Sequence, residues 1–257
     1  MKASVRALAV VSTLLLAGVL LVGGVWYFSA DDIDIDTVPA DFSPTPHIDL
    51  SAPGVTSLQL EEWANGIAAK LNINPRALMA YGNAEQTMVQ TKPQCHLWWT
   101  TLAGIAYVET QHGSYEGAQI FPNGGVVPKI RGPRLDGTEN TERILDTDGG
   151  QWDGDDKFDV AMGPFQFIPE TWRYFGVDAN GDGIADPDNI DDAAVSAARY
   201  LCYDGRDLLR HKDWAEAIYA YNHSQKYVRQ VHYAASRYGQ GLQPRWANMR
   251  FMDVNFK

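Results

Sequence analysis

The sequence predicts a mainly α-helical domain, interrupted by one long irregular excursion and preceded by a transmembrane helix. Three observations carry this. Apolar residues recur at helical spacing in successive stretches between residues 57 and 238. No stretch alternates polar and apolar residues well enough to read as a strand. Residues 114–158 are rich in Gly, Asp and Pro with weak periodicity, as expected of a functional loop inside a compact domain.

Residues 7–28 contain no charged side chain and are long enough to span a bilayer as a helix. Lys2 and Arg6 precede them, and Asp31, Asp32, Asp34 and Asp36 follow. This asymmetry places the N-terminus in the cytoplasm and the remainder outside the cell membrane, as a single-pass protein. A cleaved signal peptide is the alternative. The apolar run is longer than a usual signal core, and Phe28-Ser29-Ala30 is a poor cleavage site, so residues 1–30 read as an uncleaved anchor. Residues 31–56, acidic and then Pro-rich, read as an extended linker.

The globular part spans residues 57–240. Ser57 is placed to cap a helix reaching Leu71, with Leu60, Trp63, Ile67 and Leu71 on its apolar face. Pro75 suits the first turn of a second helix, to about Val89. In the third, Trp98, Leu102, Ile105 and Glu109 form one stripe, and Gly113 is a plausible stop. Helical patterns resume at residues 169–175, 190–203, 214–223 and 225–238. Trp98, Trp99, Trp172 and Trp214 read as core. Residues 241–257 form a tail without a readable role.

A carboxylate at the apolar C-terminal end of a helix is partly desolvated and faces the unfavourable end of the helix dipole. Glu109 should therefore hold its proton tightly, as a general acid must. The bland alternative is an amphipathic helix whose last turn is simply solvated.

A formal net charge of -11 argues against nucleic acid as a partner, though not against a neutral polysaccharide. The two cysteines, Cys95 and Cys202, lie on the expected outer side, where an even count suggests a disulfide. Closing a loop of about 100 residues would contribute on the order of 4 to 5 kcal/mol through loop-closure entropy.

Asp178, Asn180, Asp182 and Asp186 place oxygens at positions one, three, five and nine of a calcium loop, with Gly183 at six and the Ile184 carbonyl at seven. Asn189 stands at position twelve, where a bidentate Glu is usual, and Asp188 is a candidate substitute. A metal-free Gly/Asn/Asp turn is the competing reading. Asp146, Asp148, Asp153 and Asp155 read as a solvated loop.

Four segments go beyond generic helix: Tyr107 to Gly113 around Glu109, Ala161 to Trp172 with Gly163-Pro164-Phe165-Gln166, the Asp178 loop, and Tyr221-Asn222-His223 with Tyr227 following. In this order, flanked by Cys95 and Cys202, they resemble the membrane-bound B-type lytic transglycosylases, in the branch with a single N-terminal anchor. The resemblance covers roughly residues 58–238. It implies a lysozyme-like helical domain that cuts the MurNAc–GlcNAc bond of peptidoglycan. Glu109 then matches the family's catalytic acid, and Gly163, Pro164 and Gln166 match its Gly-Pro-x-Gln element, whose Gln binds sugar. Tyr221 and Asn222 match the Tyr-Asn pair that lines the cleft.

No cofactor is required, a structural calcium ion is expected, and a monomer acting on glycan strands is implied. Gln166 and Asn222 would otherwise read as satisfied polar core residues. Tyr221 and Tyr227 can stack on sugars, although aromatics at helical spacing more often belong to a core. Two rival functions remain: a muramidase using water, for which Asp159 or Glu116 would be the second carboxylate, and a non-catalytic wall-binding protein.

Overall fold

The computed structural model describes residues 35–40, 42–138 and 141–250. The expected anchor lies outside them, and among the described residues no helix is long and apolar enough to cross a membrane.

Helix α1 (Glu61–Leu71) follows a 3₁₀ turn, Thr56–Leu60. Ser57 does not cap it as expected. The helix has no side-chain cap, and the buried Ser57 hydroxyl accepts from the Arg76 guanidinium at 3.2 Å. Helix α2 (Pro75–Thr91) begins where Pro75 predicts, with Asn74 accepting from the Arg76 amide. Helix α3 (Trp99–Thr110) starts one residue later than its apolar stripe suggests, with Trp98 half-buried at its N-cap. Every residue from Trp99 to Ala106 is buried, so α3 is surrounded by other elements rather than amphipathic. Its end is set by Gln111 in the left-handed conformation, two residues before Gly113. Glu109 therefore does lie in the last turn.

The remaining helices are α4 (Pro169–Phe175), α5 (Ile190–Leu201), α6 (His211–Tyr221), α7 (Gln225–Gly239) and α8 (Trp246–Arg250). The core forms where α3 packs on α7 and α2 on α5. Gly104 permits the first contact, because a Cβ there would lie 2.9 Å from the Val231 carbonyl oxygen and 3.0 Å from the Ala235 Cβ. Arg76 fastens the second through a buried bidentate ion pair with Asp191. The same guanidinium donates to the Pro122 carbonyl at 3.1 Å. A buried charge needs such complete pairing to be tolerated. Cys95 and Cys202 form the expected disulfide across a separation of 107 residues, joining the turn before α3 to the end of α5. Trp172 and Trp214 are buried as expected.

Two regions depart from expectation. The segment read as a free linker packs against the helices from Ile35 onward, with Ile35, Thr45 and Ile48 buried. Thr45 donates to Glu85 at 2.5 Å, whose other oxygen accepts from the Trp99 amide at 2.6 Å. Both Trp63 and Trp99 donate their indole N–H to the Ser43 carbonyl. Its few apolar residues, spaced along an extended chain, find slots between helices that composition cannot reveal. The start of the tail also packs: Met249 is buried, and Trp246 meets Tyr107 edge-on.

The excursion and the residues just after it hold four short strands that the sequence did not predict, since pieces of two to four residues are too short to show alternation. β1 (Gln119–Ile120) pairs antiparallel with β2 (Val126–Val127), and β3 (Arg131–Arg134) pairs antiparallel with β4 (Val160–Met162). The Asp/Gly stretch is built rather than merely solvated. Asp146 accepts from the amides of Asp148, Gly149 and Gly150. Asp146, Asp148 and Asp159 bring their oxygens within 4.8 Å of one another.

Candidate active site

The end of α3 is held by its own sequence. Thr110, beside Glu109, donates to the Pro164 carbonyl at 2.7 Å and accepts from the Gly113 amide at 2.9 Å. One hydroxyl thus ties the helix end to the Gly163–Gln166 turn. Gly163 adopts φ 68°, and a Cβ there would lie 1.9 Å from the Pro187 carbonyl oxygen. Only glycine fits, so this residue shapes the turn. It is not among the residues lining the cleft. Gln166, also at positive φ, donates to the Gly163 carbonyl at 2.8 Å.

Below this turn lies a cleft of about 440 Å³. Glu109, Gln166, Tyr221, Asn222 and Tyr227 all line it, together with Pro133, Glu142 and Ile144 from the excursion and Ala161 from β4. The sequence reading therefore assembled residues that are distant along the chain but share one cavity. Glu109 is half-buried. Desolvation raises its pKa to about 7, opposed by a hydrogen bond from Tyr227. That phenol donates to Glu109 Oε1 at 2.5 Å. Tyr227 is itself buried and is a direct partner of the acid.

Tyr221 lies parallel to Tyr227, with ring centroids 6.4 Å apart, and donates its hydroxyl to the Phe165 carbonyl at 2.8 Å. Burial first, and then the neighbouring Glu109, pushes both phenols well above their ordinary pKa. Both remain protonated donors. Asn222 sits in extended conformation at the end of α6.

His112 was not singled out from the sequence. It is buried, with its ring nitrogens 3.1 Å from the Tyr81 hydroxyl and 2.7 Å from the Tyr238 hydroxyl. Burial lowers its pKa to about 3, so a neutral imidazole pins the helix end between α2 and α7. Glu142 was also missed, because residues 114–158 carry no periodicity from which to place it. Of the two carboxylates considered for hydrolysis, neither lines the cleft. Asp159 is buried against Thr147, and Glu116 is exposed in the turn after α3.

The calcium-type loop keeps Asp178, Asn180 and Asp182 close: Asp178 accepts from the amides of Gly181 and Gly183, and Asn180 donates to Asp182 at 2.9 Å. Asp186 accepts from the Asp188 amide. Asp188 does not replace the missing Glu. It is buried in an ion pair with Arg131 at 2.6 Å and with Lys129 at 3.1 Å. Asn189 caps α5 instead. Asp192, buried behind the loop, accepts from the Ala179 and Asp186 amides. Desolvation raises its pKa to about 6, and Asp178 adds to the rise. The loop gathers oxygen donors of the type a hard cation takes, but Asp182 is exposed and Asp178 and Asp186 are half-buried, and the carboxylates accept from the loop's own amides.

No curated protein matches the chain. Among solved structures, the Escherichia coli lytic transglycosylase Slt35 in complex with bulgecin A aligns at 14% identity over 74% of this chain and 78% of that chain, with a TM-score of 0.38. Slt35 in complex with calcium aligns at 15% identity over 74% and 79%, with a TM-score of 0.39. Residues 150–215 match the transglycosylase SLT domain family. That stretch holds Gln166, the Asp178 loop and α5, whereas Glu109, Tyr221, Asn222 and Tyr227 fall outside it. The similarity to the transglycosylase SLT domain family thus covers the middle of the chain, while the candidate acid on α3 and its partners at the α6–α7 turn lie outside it.

Proposed function

We propose that the protein is a lytic murein transglycosylase that cleaves the MurNAc–GlcNAc β-1,4 bond and leaves a 1,6-anhydroMurNAc end. The observation that carries this reading is the Glu109 carboxyl, desolvated in a cleft that it shares with Gln166, Tyr221 and Asn222. With a pKa of about 7, the group is populated in both protonation states near neutrality, as an acid that later serves as base requires. Glu109 protonates the bridge oxygen as the bond from the MurNAc anomeric carbon to it breaks. The resulting carboxylate takes the proton from the same sugar's 6-hydroxyl as that oxygen bonds to the anomeric carbon. No water is consumed. Tyr227 favours the charged form through its hydrogen bond and so aids the first proton transfer. Gln166 and Asn222 offer uncharged donors and acceptors to sugar hydroxyls and the N-acetyl group.

The B-type assignment, the single-pass anchor, the extracytoplasmic location of the domain and the monomeric state belong to the same proposal. A bound calcium ion would be held by Asp178, Asn180, Asp182, the Ile184 carbonyl and Asp186, with Asp192 behind the loop bonded to the Ala179 and Asp186 amides. It would neutralise repulsion between carboxylates and stiffen the loop ahead of α5, without taking part in catalysis. Mass spectrometry of digested sacculi tests the activity: anhydro-muramic ends are expected, and reducing ends alone would make the protein a muramidase. Fractionation of a C-terminally tagged chain without detergent tests the anchor, since a fully soluble product would remove it.

A further inference from the structure

Among the described residues, Glu142 is the second carboxyl lining the cleft. It stands on the excursion wall among Pro133, Leu135, Ile144 and Ala161. Its Oε2 is closed to solvent and has no hydrogen-bond partner. Desolvation raises its pKa. Buried polar atoms are almost always satisfied, and leaving a carboxylate oxygen unpaired is costly. An orphan oxygen on the wall of a substrate cleft is therefore a place for a substrate donor.

We propose that Glu142 is a substrate-binding residue that accepts a charge-assisted hydrogen bond from a free 2-amino group on a de-N-acetylated hexosamine of the glycan. A carboxylate on an apolar wall gains most from a cationic donor, since ion-assisted hydrogen bonds are roughly twice as strong as neutral ones. A neutral acetamide offers only one weaker N–H and must also fit its methyl group. The same cleft carries Gln166 and Asn222, whose uncharged amides suit acetylated sugars. The cleft thus offers uncharged amides to the acetamide and a carboxyl to the amine. This assignment rests on the glycan-cleaving reading and adds to it which sugars are preferred.

The test is binding without turnover. Glu109→Gln protein is titrated calorimetrically at neutral pH with a fully acetylated glucosamine oligomer and with its partly de-N-acetylated counterpart. Adding Glu142→Gln should weaken binding of the amine-bearing oligomer by about tenfold and leave the acetylated oligomer within about twofold. Glu142→Lys should reverse the preference, and both variants should melt with the Glu109→Gln parent. Equal loss for the two oligomers, or no loss for either, would overturn the amine assignment while leaving the cleavage reading intact. If neither oligomer binds the Glu109→Gln parent, the glycan reading itself fails and this inference with it. A switch of wild-type products from reducing to anhydro ends on Glu142→Gln would instead make Glu142 the water-activating base, and would also overturn it.

Discussion

The two walls of the cleft are held by different means. On one side, α3 and α7 meet backbone to backbone at Gly104, and their side chains fix Glu109 and Tyr227 from two rigid helices. On the other, residues 131–162 form a wall of short strands and turns whose carboxylates are tied mostly to backbone amides. Hydrophobic burial holds the first wall, while local hydrogen bonding holds the second. Proton transfer tolerates little displacement, and it is assigned to the rigid wall. Contact with a variable polymer tolerates more, and the excursion supplies it.

This contrast is open to breakage at several points. The largest expected effect is at Glu109. Glu109→Gln should lower release of anhydro-muropeptides from sacculi by roughly 10²- to 10⁴-fold while the thermal melt and oligomer binding persist. Loss of fold instead would mean that the carboxyl supports the frame. Next is the frame itself. Cys202→Ser should cost on the order of 4 to 5 kcal/mol in denaturant unfolding, with α3 and α5 no longer joined. A change near zero would show that packing alone fixes the acid wall.

Calcium should act on the loop ahead of α5. At saturating metal, about 3 kcal/mol of stabilisation is expected over chelator, read as a higher melting temperature. Identical melts would mean that Asp178 and Asp192 face each other without an ion.

The smallest effect is a shift in pH dependence. Tyr227 donates to Glu109 and favours its charged form, so Tyr227→Phe should raise the acid's pKa further. General-acid activity falls as pH rises through that value. The alkaline limb of the pH–kcat/KM profile, expected near pH 7, should therefore move upward. A downward move would show that the phenol does not stabilise the carboxylate.

What could be read in the sequence follows the same division. Glu109 was legible because a carboxylate at the end of an apolar helix violates the pattern around it. Gln166, Tyr221 and Asn222 were legible only as parts of ordered motifs, since each alone looks like a satisfied core residue. Glu142 and His112 were not legible. The first lies where no period exists, and the second is identified only by tyrosines 31 and 126 residues away along the chain. Asp192 escaped because the calcium pattern stops at position twelve, whereas its carboxylate lies three residues further on and accepts from the Ala179 and Asp186 amides. Gly163 was found for its motif and proved to matter for its backbone. Contacts made in three dimensions decide His112, Asp192 and Gly163, and a one-dimensional pattern cannot count them.

The packed segment beginning at Ile35 has a geometric consequence. With an anchor ending at Phe28, only residues 29–34 separate the lipid surface from chain already fastened to the helices. Six residues reach no further than about 20 Å even when fully stretched. Such a short leash would hold the enzyme at the innermost layer of the wall, trimming strands as they emerge and leaving the older outer mesh beyond its range.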